Sequence, residues 1–178
     1  GVSVEKVEEG LKAIEYANVN TVQIIYNMFR QRPSGLFFEQ AKKKDIGVIV
    51  RVPLASGLLT GKFSQDSTFD EEDHRNFNRE GAAFDKGETF SGVPFDVGLK
   101  AVNELKKVFP DSENLAPIAL RWILDFPEVS CIIPGASKVE HLKSNLEAVK
   151  LPPLTEDERE AVNQIYNKHI KKHVHQLW

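Results

Sequence analysis

Ile46-Gly-Val-Ile-Val50 runs without a break into Arg51-Val-Pro-Leu-Ala-Ser-Gly-Leu-Leu-Thr-Gly-Lys62. A short, β-branched, almost wholly apolar run that ends in a turn with serine and glycine predicts a strand covered on both faces, as in parallel sheets. Two further stretches follow the same plan: Thr21-Val-Gln-Ile-Ile-Tyr26, and Glu128-Val-Ser-Cys-Ile-Ile133, which enters Pro134-Gly-Ala-Ser-Lys138. Between them the apolar spacing is helical. It predicts helices over Leu36 to Lys44, Asp96 to Phe109 and Leu115 to Phe126, the last with Pro117 in its first turn. Ser3 is read as the cap of a helix reaching about Ala17, with Val4, Val7, Leu11 and Ile14 inward. Lys138 to Val149 predicts a helix that turns Val139, Leu142, Leu146 and Val149 to the core, and Thr155 with Glu158 forms a capping box opening a last helix to about Lys171. Residues 53–95 lose periodicity and read as a long loop that folds over something.

Strands alternating with helices, without hairpin turns, predict a parallel α/β sheet. A closed (β/α)8 TIM barrel takes about 250 residues and eight strands, so the chain is expected to supply roughly the second half of one. It reads as a single partial barrel domain over residues 1–178, with 155–178 as its C-terminal helix and tail. Exposed strand edges beside Val22 and Val129 would then need cover.

Composition excludes several classes of protein. A net charge of −3 and a sequence pI near 6.0 give no basic face for nucleic acid. No apolar stretch approaches membrane-spanning length, so no membrane partner is expected and a cytoplasmic location is. The single cysteine, Cys131, permits no intrachain disulfide and, inside an apolar run, is expected to be a buried small hydrophobe. No metal site is expected: His74 sits in a polar run that reads as a solvated loop, and His169, His173 and His175 read as a frayed tail.

Ligands of parallel sheets gather at the carboxyl ends of the strands, which puts Gln23, Tyr26, Asn27, Arg51, Pro134 and Ser137 on one rim. At the last junction Gly135 and Ala136 allow close approach of backbone, Ser137 and Lys138 offer a hydroxyl and an ammonium, and a helix N-terminus follows. A phosphate is the natural occupant. At the other junction Ser56, Thr60 and Lys62 would suit a pyrophosphate. Tyr26 has no lysine nearby to depress its pKa and reads as packing rather than as an acid.

Together, RVPLASGLLTGK, TVQIIYN, DHRNFNREG and CIIPGASKVEHLKSN, in that order and spacing, resemble the C-terminal half of bacterial-type aldo-keto reductases over essentially the whole chain. The resemblance implies a barrel of which this chain supplies the end of strand five through strand eight, with Gly1 an interior residue. It implies a nicotinamide dinucleotide, NADP(H) in preference to NAD, and a small carbonyl substrate reduced by hydride transfer. It assigns Ser3 and Gln23 to the nicotinamide carboxamide, Arg51 to stacking on the ring, and Leu54 and Ser56, with the backbone of Gly57 and Leu58, to the pyrophosphate. Ser137, Lys138 and His141, beside Gly135, fall to the 2′-phosphate and Asn145 to the adenine. Val4 stands where many members have asparagine, Arg51 where many have tyrosine, and Ser137 where arginine is frequent. The family's catalytic aspartate, tyrosine, lysine and histidine map to no residue here, so the chain alone is expected to be inactive and to need an N-terminal half-barrel as partner. The alternative is a non-catalytic nucleotide-binding half-barrel, or a nucleotide-sensing subunit of the channel-β kind.

Overall fold

The computed structural model describes residues 1–178. Four strands, β1 (Val2–Ser3), β2 (Thr21–Ile25), β3 (Gly47–Arg51) and β4 (Val129–Ile132), pair in sequence order and all in parallel. Helix α1 (Val7–Ala13) joins β1 to β2, and α2 (Leu36–Lys43) joins β2 to β3. The β3–β4 connection carries a short α3 (His74–Phe77), then α4 (Phe95–Val108) and α5 (Ala116–Leu124). After β4 come α6 (Val139–Glu147), α7 (Glu156–Ile165), a single π-turn over Tyr166–Ile170 and α8 (Lys171–Val174). The parallel α/β architecture expected from the sequence is the one observed.

Alternation along the strands decides where the core lies. Val22, Ile24, Val48 and Val50 point to the helical layer and are essentially inaccessible, joining one apolar cluster with Phe37, Phe38, Trp122 and Ile123. Tyr26, at the end of β2, has its ring stacked on Trp122 with centroids 5.1 Å apart and lies 4.8 Å from Phe38. These aromatic contacts add to the area buried. Burial pushes the Tyr26 phenol well above its ordinary range, which suits packing and not proton donation.

The expectation of strands covered on both faces is corrected. Ser3, Gln23, Ile49 and Cys131 form one row across the four strands, in register, on the face away from the helices. They are exposed or half-exposed. Cys131 is therefore an exposed thiol rather than a core residue, because pleating turns it to the open face while Ile132 turns inward. The apolar face of α6 is corrected in the same way: Val139, Leu142, Leu146 and Val149 are all more than half exposed. This helix follows the edge strand β4, and its outer side meets no other layer among residues 1–178. The edge at Val22 is covered after all, because Val2 and Ser3 pair with Val22 and Gln23.

Two termini differ from expectation for local reasons. Ser3 is a strand residue and caps nothing; α1 instead begins after Lys6, where the Glu9 carboxylate accepts from the backbone N–H groups of Glu5 and Lys6 at 2.9 and 3.0 Å. A carboxylate at that end also meets the positive pole of the helix. The tail is not frayed. Tyr166 Oη and His175 Nδ1 lie 2.8 Å apart, His169 Nε2 is 3.0 Å from Glu104, and the chain folds back until Trp178 is buried. Thr155 and Glu158 form the expected capping box. No helix is long and apolar enough to cross a membrane.

Trp122 is 2% exposed and packs from α5 against Tyr26 at the end of β2 and against Phe126. Trp122→Ala is expected to cost about 3–5 kcal/mol, read as a lower urea midpoint with an unchanged slope.

Candidate functional site

The carboxyl ends of β3 and β4 open into one cleft of about 1140 Å³. One wall is the turn after β3, with Val52, Leu54, Ser56, Gly57, Thr60 and Lys62; the other is the turn after β4 and the start of α6, with Gly135, Ser137, His141 and Asn145. Segment 72–88 supplies the third side through Asp73, His74, Arg75, Phe77, Phe84 and Glu88. The loop expected to fold over something therefore folds over this cleft. A separate hollow of about 720 Å³ lies between α1 and α7, away from the strand ends.

Segment 63–95 keeps its shape without periodic apolar spacing. Phe63, Phe69, Phe90 and Phe95 pack ring against ring at centroid distances of 5.1–6.3 Å. The guanidinium of Arg75 lies 4.6 Å from the Phe69 ring and also binds the Asp73 carboxylate, holding that carboxyl down to about 2. Buried Asn78 accepts from the N–H groups of Ala83 and Phe84 and donates to Thr89 Oγ1.

The turn after β3 is strained. Val52, Ala55 and Ser56 have φ of 50°, 48° and 54°, and Phe90 and Ser91, which pack against it, have 51° and 59°. Each such residue costs on the order of 1–3 kcal/mol and persists only where its surroundings fix it. Here they do. Phe90 N donates to Ser56 Oγ at 3.0 Å and Ser56 Oγ donates to Glu88 O at 3.2 Å. From β2, the buried Asn27 amide donates to Val52 O at 2.9 Å and to Ser91 Oγ at 2.7 Å.

Arg51 ends β3 and is 8% exposed. Its guanidinium donates to Val4 O at 3.0 Å, to Glu5 Oε1 at 2.8 Å and to Glu88 Oε1. Two carboxylates thus converge on one cation. Burial first, and the neighbouring Glu88 carboxyl next, push Glu5 up to about 7, against the pull of Arg51. One ionised carboxylate suffices to neutralise the guanidinium, so the second keeps its proton more readily.

Of the residues singled out in the sequence, Leu54, Ser56, Gly57, Gly135, Ser137, His141 and Asn145 share the cleft. Ser137 Oγ and His141 Nδ1 are 3.3 Å apart, and Asn145 Nδ2 reaches Gly135 O at 3.4 Å. A Cβ built on Gly135 meets nothing within 4 Å, so the backbone there is open to close approach. Ser3 and Gln23 lie side by side, Gln23 Nε2 donating to Ser3 Oγ at 3.3 Å, on the open face below the Arg51 level. Leu58 turns its side chain into the core, where a Cβ on Gly98 would lie 2.8 Å from its Cδ1. Lys138 is exposed and does not line the cleft.

A sequence model of the Aldo/keto reductase family matches residues 1–167. This chain belongs to the aldo/keto reductase family. It is 29% identical over 172 residues to aldo-keto reductase YhdN of Bacillus subtilis, covering 96% of this chain and 49% of that one. It is 31% identical over 136 residues to the Arabidopsis thaliana protein named "Probable voltage-gated potassium channel subunit beta", covering 72% of this chain and 38% of that one. The glycerol dehydrogenase of Gluconobacter oxydans superposes with a TM-score of 0.72 at 29% identity, over 96% of this chain and 49% of its own. The chain thus spans about half the length, or less, of the relatives it matches.

Within this reductase fold, Glu5 and Glu88 escaped the sequence reading. An arginine closing an apolar strand signals that a counter-charge must exist, but which of 26 acidic residues supplies it is fixed only by the fold. Unfolded, Glu5 titrates near 4.5, and folded near 7, so between these values the folded state binds more protons. The stability it contributes is complete below pH of about 4.5 and is lost as pH rises through about 7. Glu5→Gln, which keeps the acceptor for Arg51, is expected to flatten this fall and to exceed the parent at pH 8 by about 1 kcal/mol after solvent screening. Urea midpoints from pH 5 to 8 measure it.

Proposed function

We propose that the protein containing this chain reduces aldehydes or ketones to alcohols with NADPH, and that residues 1–178 form the dinucleotide-binding half of its barrel. The observation that carries the proposal is the single cleft joining the strained turn after β3 to the open turn after β4. A dinucleotide needs two phosphate-type subsites joined by one groove, and Gly135 leaves room for one of them beside the N-terminus of α6.

In this reading Ser3 and Gln23 hold the nicotinamide carboxamide and so choose the ring face. Arg51, tied down by its two carboxylates, is assigned to stacking on the ring. Leu54, Ser56 and the backbone of Gly57 and Leu58 line the pyrophosphate. Ser137, His141 and, by swinging its free ammonium inward, Lys138 take the 2′-phosphate, and Asn145 takes the adenine. When bound, the reduced nicotinamide supplies the hydride. A proton must reach the carbonyl oxygen from elsewhere: Tyr16 is exposed on the outer surface, Tyr26 is sealed in the core, and Tyr166 is buried with its hydroxyl against His175. None lines the cleft. The proton donor is therefore assigned to the length of the reductase relatives that this chain does not span, as is most of the carbonyl pocket. The likeness to a protein named as a potassium channel β subunit favours one further reading, a nucleotide-sensing subunit, which shares the cleft and differs in turnover.

In the full-length protein, Lys138→Ala is expected to weaken NADPH about tenfold and NADH little, since only the first carries the 2′-phosphate. Fluorescence titration with both cofactors decides it; equal losses would remove Lys138 from that role. Gly135→Leu, which fills the open approach, is expected to abolish binding of both. Oxidation of NADPH by an aldehyde panel separates the reductase from the sensor.

A further inference from the structure

We propose that Trp178 is a positioning residue for the nicotinamide and pyrophosphate end of the site: a latch on the 85–92 segment that presents Glu88 to Arg51 and fixes Ser56. The inference rests on the cofactor reading above. Trp178 is 6% exposed, with Nε1 donating to Asp85 Oδ1 at 2.8 Å and the Arg30 guanidinium 4.1 Å over its ring. Arg32 Nη1 donates to its main-chain oxygen at 2.8 Å. A tryptophan held by three groups from two segments is a fixed part of the fold.

The segment beneath it is shaped for the ring. A Cβ on Gly92 would lie 2.6 Å from Trp178 Cη2 and Cζ3, and one on Gly87 would lie 2.9 Å from Cε2 and 2.3 Å from Arg30 Nη2. Only glycine fits at either place. Arg30 is 2% exposed, and its guanidinium nitrogens have no hydrogen-bond partner. Its compensation is the Trp178 face and the nearby Asp85 charge, and burial pulls its pKa down to about 10.

The 85–92 segment transmits this to the cleft. Asp85 Oδ1 accepts from both Trp178 Nε1 and Gly87 N, so the indole closes the turn Lys86–Glu88 from outside. Glu88, the last residue of that turn, grips Arg51, while its carbonyl and the N–H of Phe90 engage Ser56 Oγ. Phe90 and Ser91 keep positive φ, a conformation that relaxes once its packing is removed. Without the indole, Glu88 and Ser56 lose their fixed geometry together. No hydrogen bond links the turn after β4 to these groups, so the adenosine end is expected to be unaffected.

The test uses the full-length protein and two ligands, NADPH and 2′-AMP, which lacks both the nicotinamide and the pyrophosphate. Trp178→Ala is expected to weaken NADPH about tenfold and leave 2′-AMP within about twofold. Trp178→Phe keeps a ring under Arg30, loses only the donor to Asp85, and is expected to fall between parent and alanine variant. Equal weakening of both ligands, or no change in either, would overturn the latch. Failure of the parent protein to bind either ligand overturns the cofactor reading instead, and the inference with it. If the alanine variant does not fold, the phenylalanine variant decides the question by the same ratio.

Discussion

Arg51 is the cation on which the arrangement of the site turns. It ends a strand whose other side chains are apolar, and it is almost wholly removed from water. An unpaired guanidinium there would be very costly, so Val4, Glu5 and Glu88 have to arrive at one point from β1, the start of α1 and the long β3–β4 connection. That convergence explains why residues 85–92 lie against the carboxyl end of the sheet. It also bears on the strain tolerated in the turn after β3: Glu88, one of the three groups that satisfy Arg51, belongs to the segment that brackets Ser56.

Asn27 completes the same frame from β2. Its amide bonds both to the carbonyl after β3 and to a serine in the strained segment, so the ends of two neighbouring strands and the covering loop cannot shift separately. The cleft inherits rigidity on this side. Its other side is different in character: Gly135, Ser137 and His141 are exposed, and no buried ion pair ties them to the sheet. Under the proposed cofactor assignment, a rigid nicotinamide end beside an open adenosine end would divide the work of positioning a hydride from that of supplying affinity.

The sequence carried the secondary structure well where neighbours in the chain decide it. All three expected strands appear, and so do the helices over 36–44, 96–109 and 115–126, because apolar spacing and β-branching act over a few positions. Where layers decide, it did less well. Val139, Leu142, Leu146 and Val149 have the spacing of a core face but nothing within residues 1–178 to cover it, and Cys131 sits in an apolar run yet faces the open side. Periodicity reports which side of an element is apolar, not whether another layer reaches it. Residues 53–95 show no period in the sequence, because the rings of Phe63, Phe69, Phe90 and Phe95 pack without a repeat.

By itself the sequence determined the parallel α/β class, the two turns that wall the cleft and the family resemblance, since each rests on patterns of residues near one another in the chain. The tertiary structure alone decided which carboxylates meet Arg51, 46 and 37 positions away, and that Trp178 returns to Asp85 across 93. Such contacts leave no local pattern, because many acidic residues could neutralise a guanidinium equally well. Which one does so depends on where the closed chain brings it.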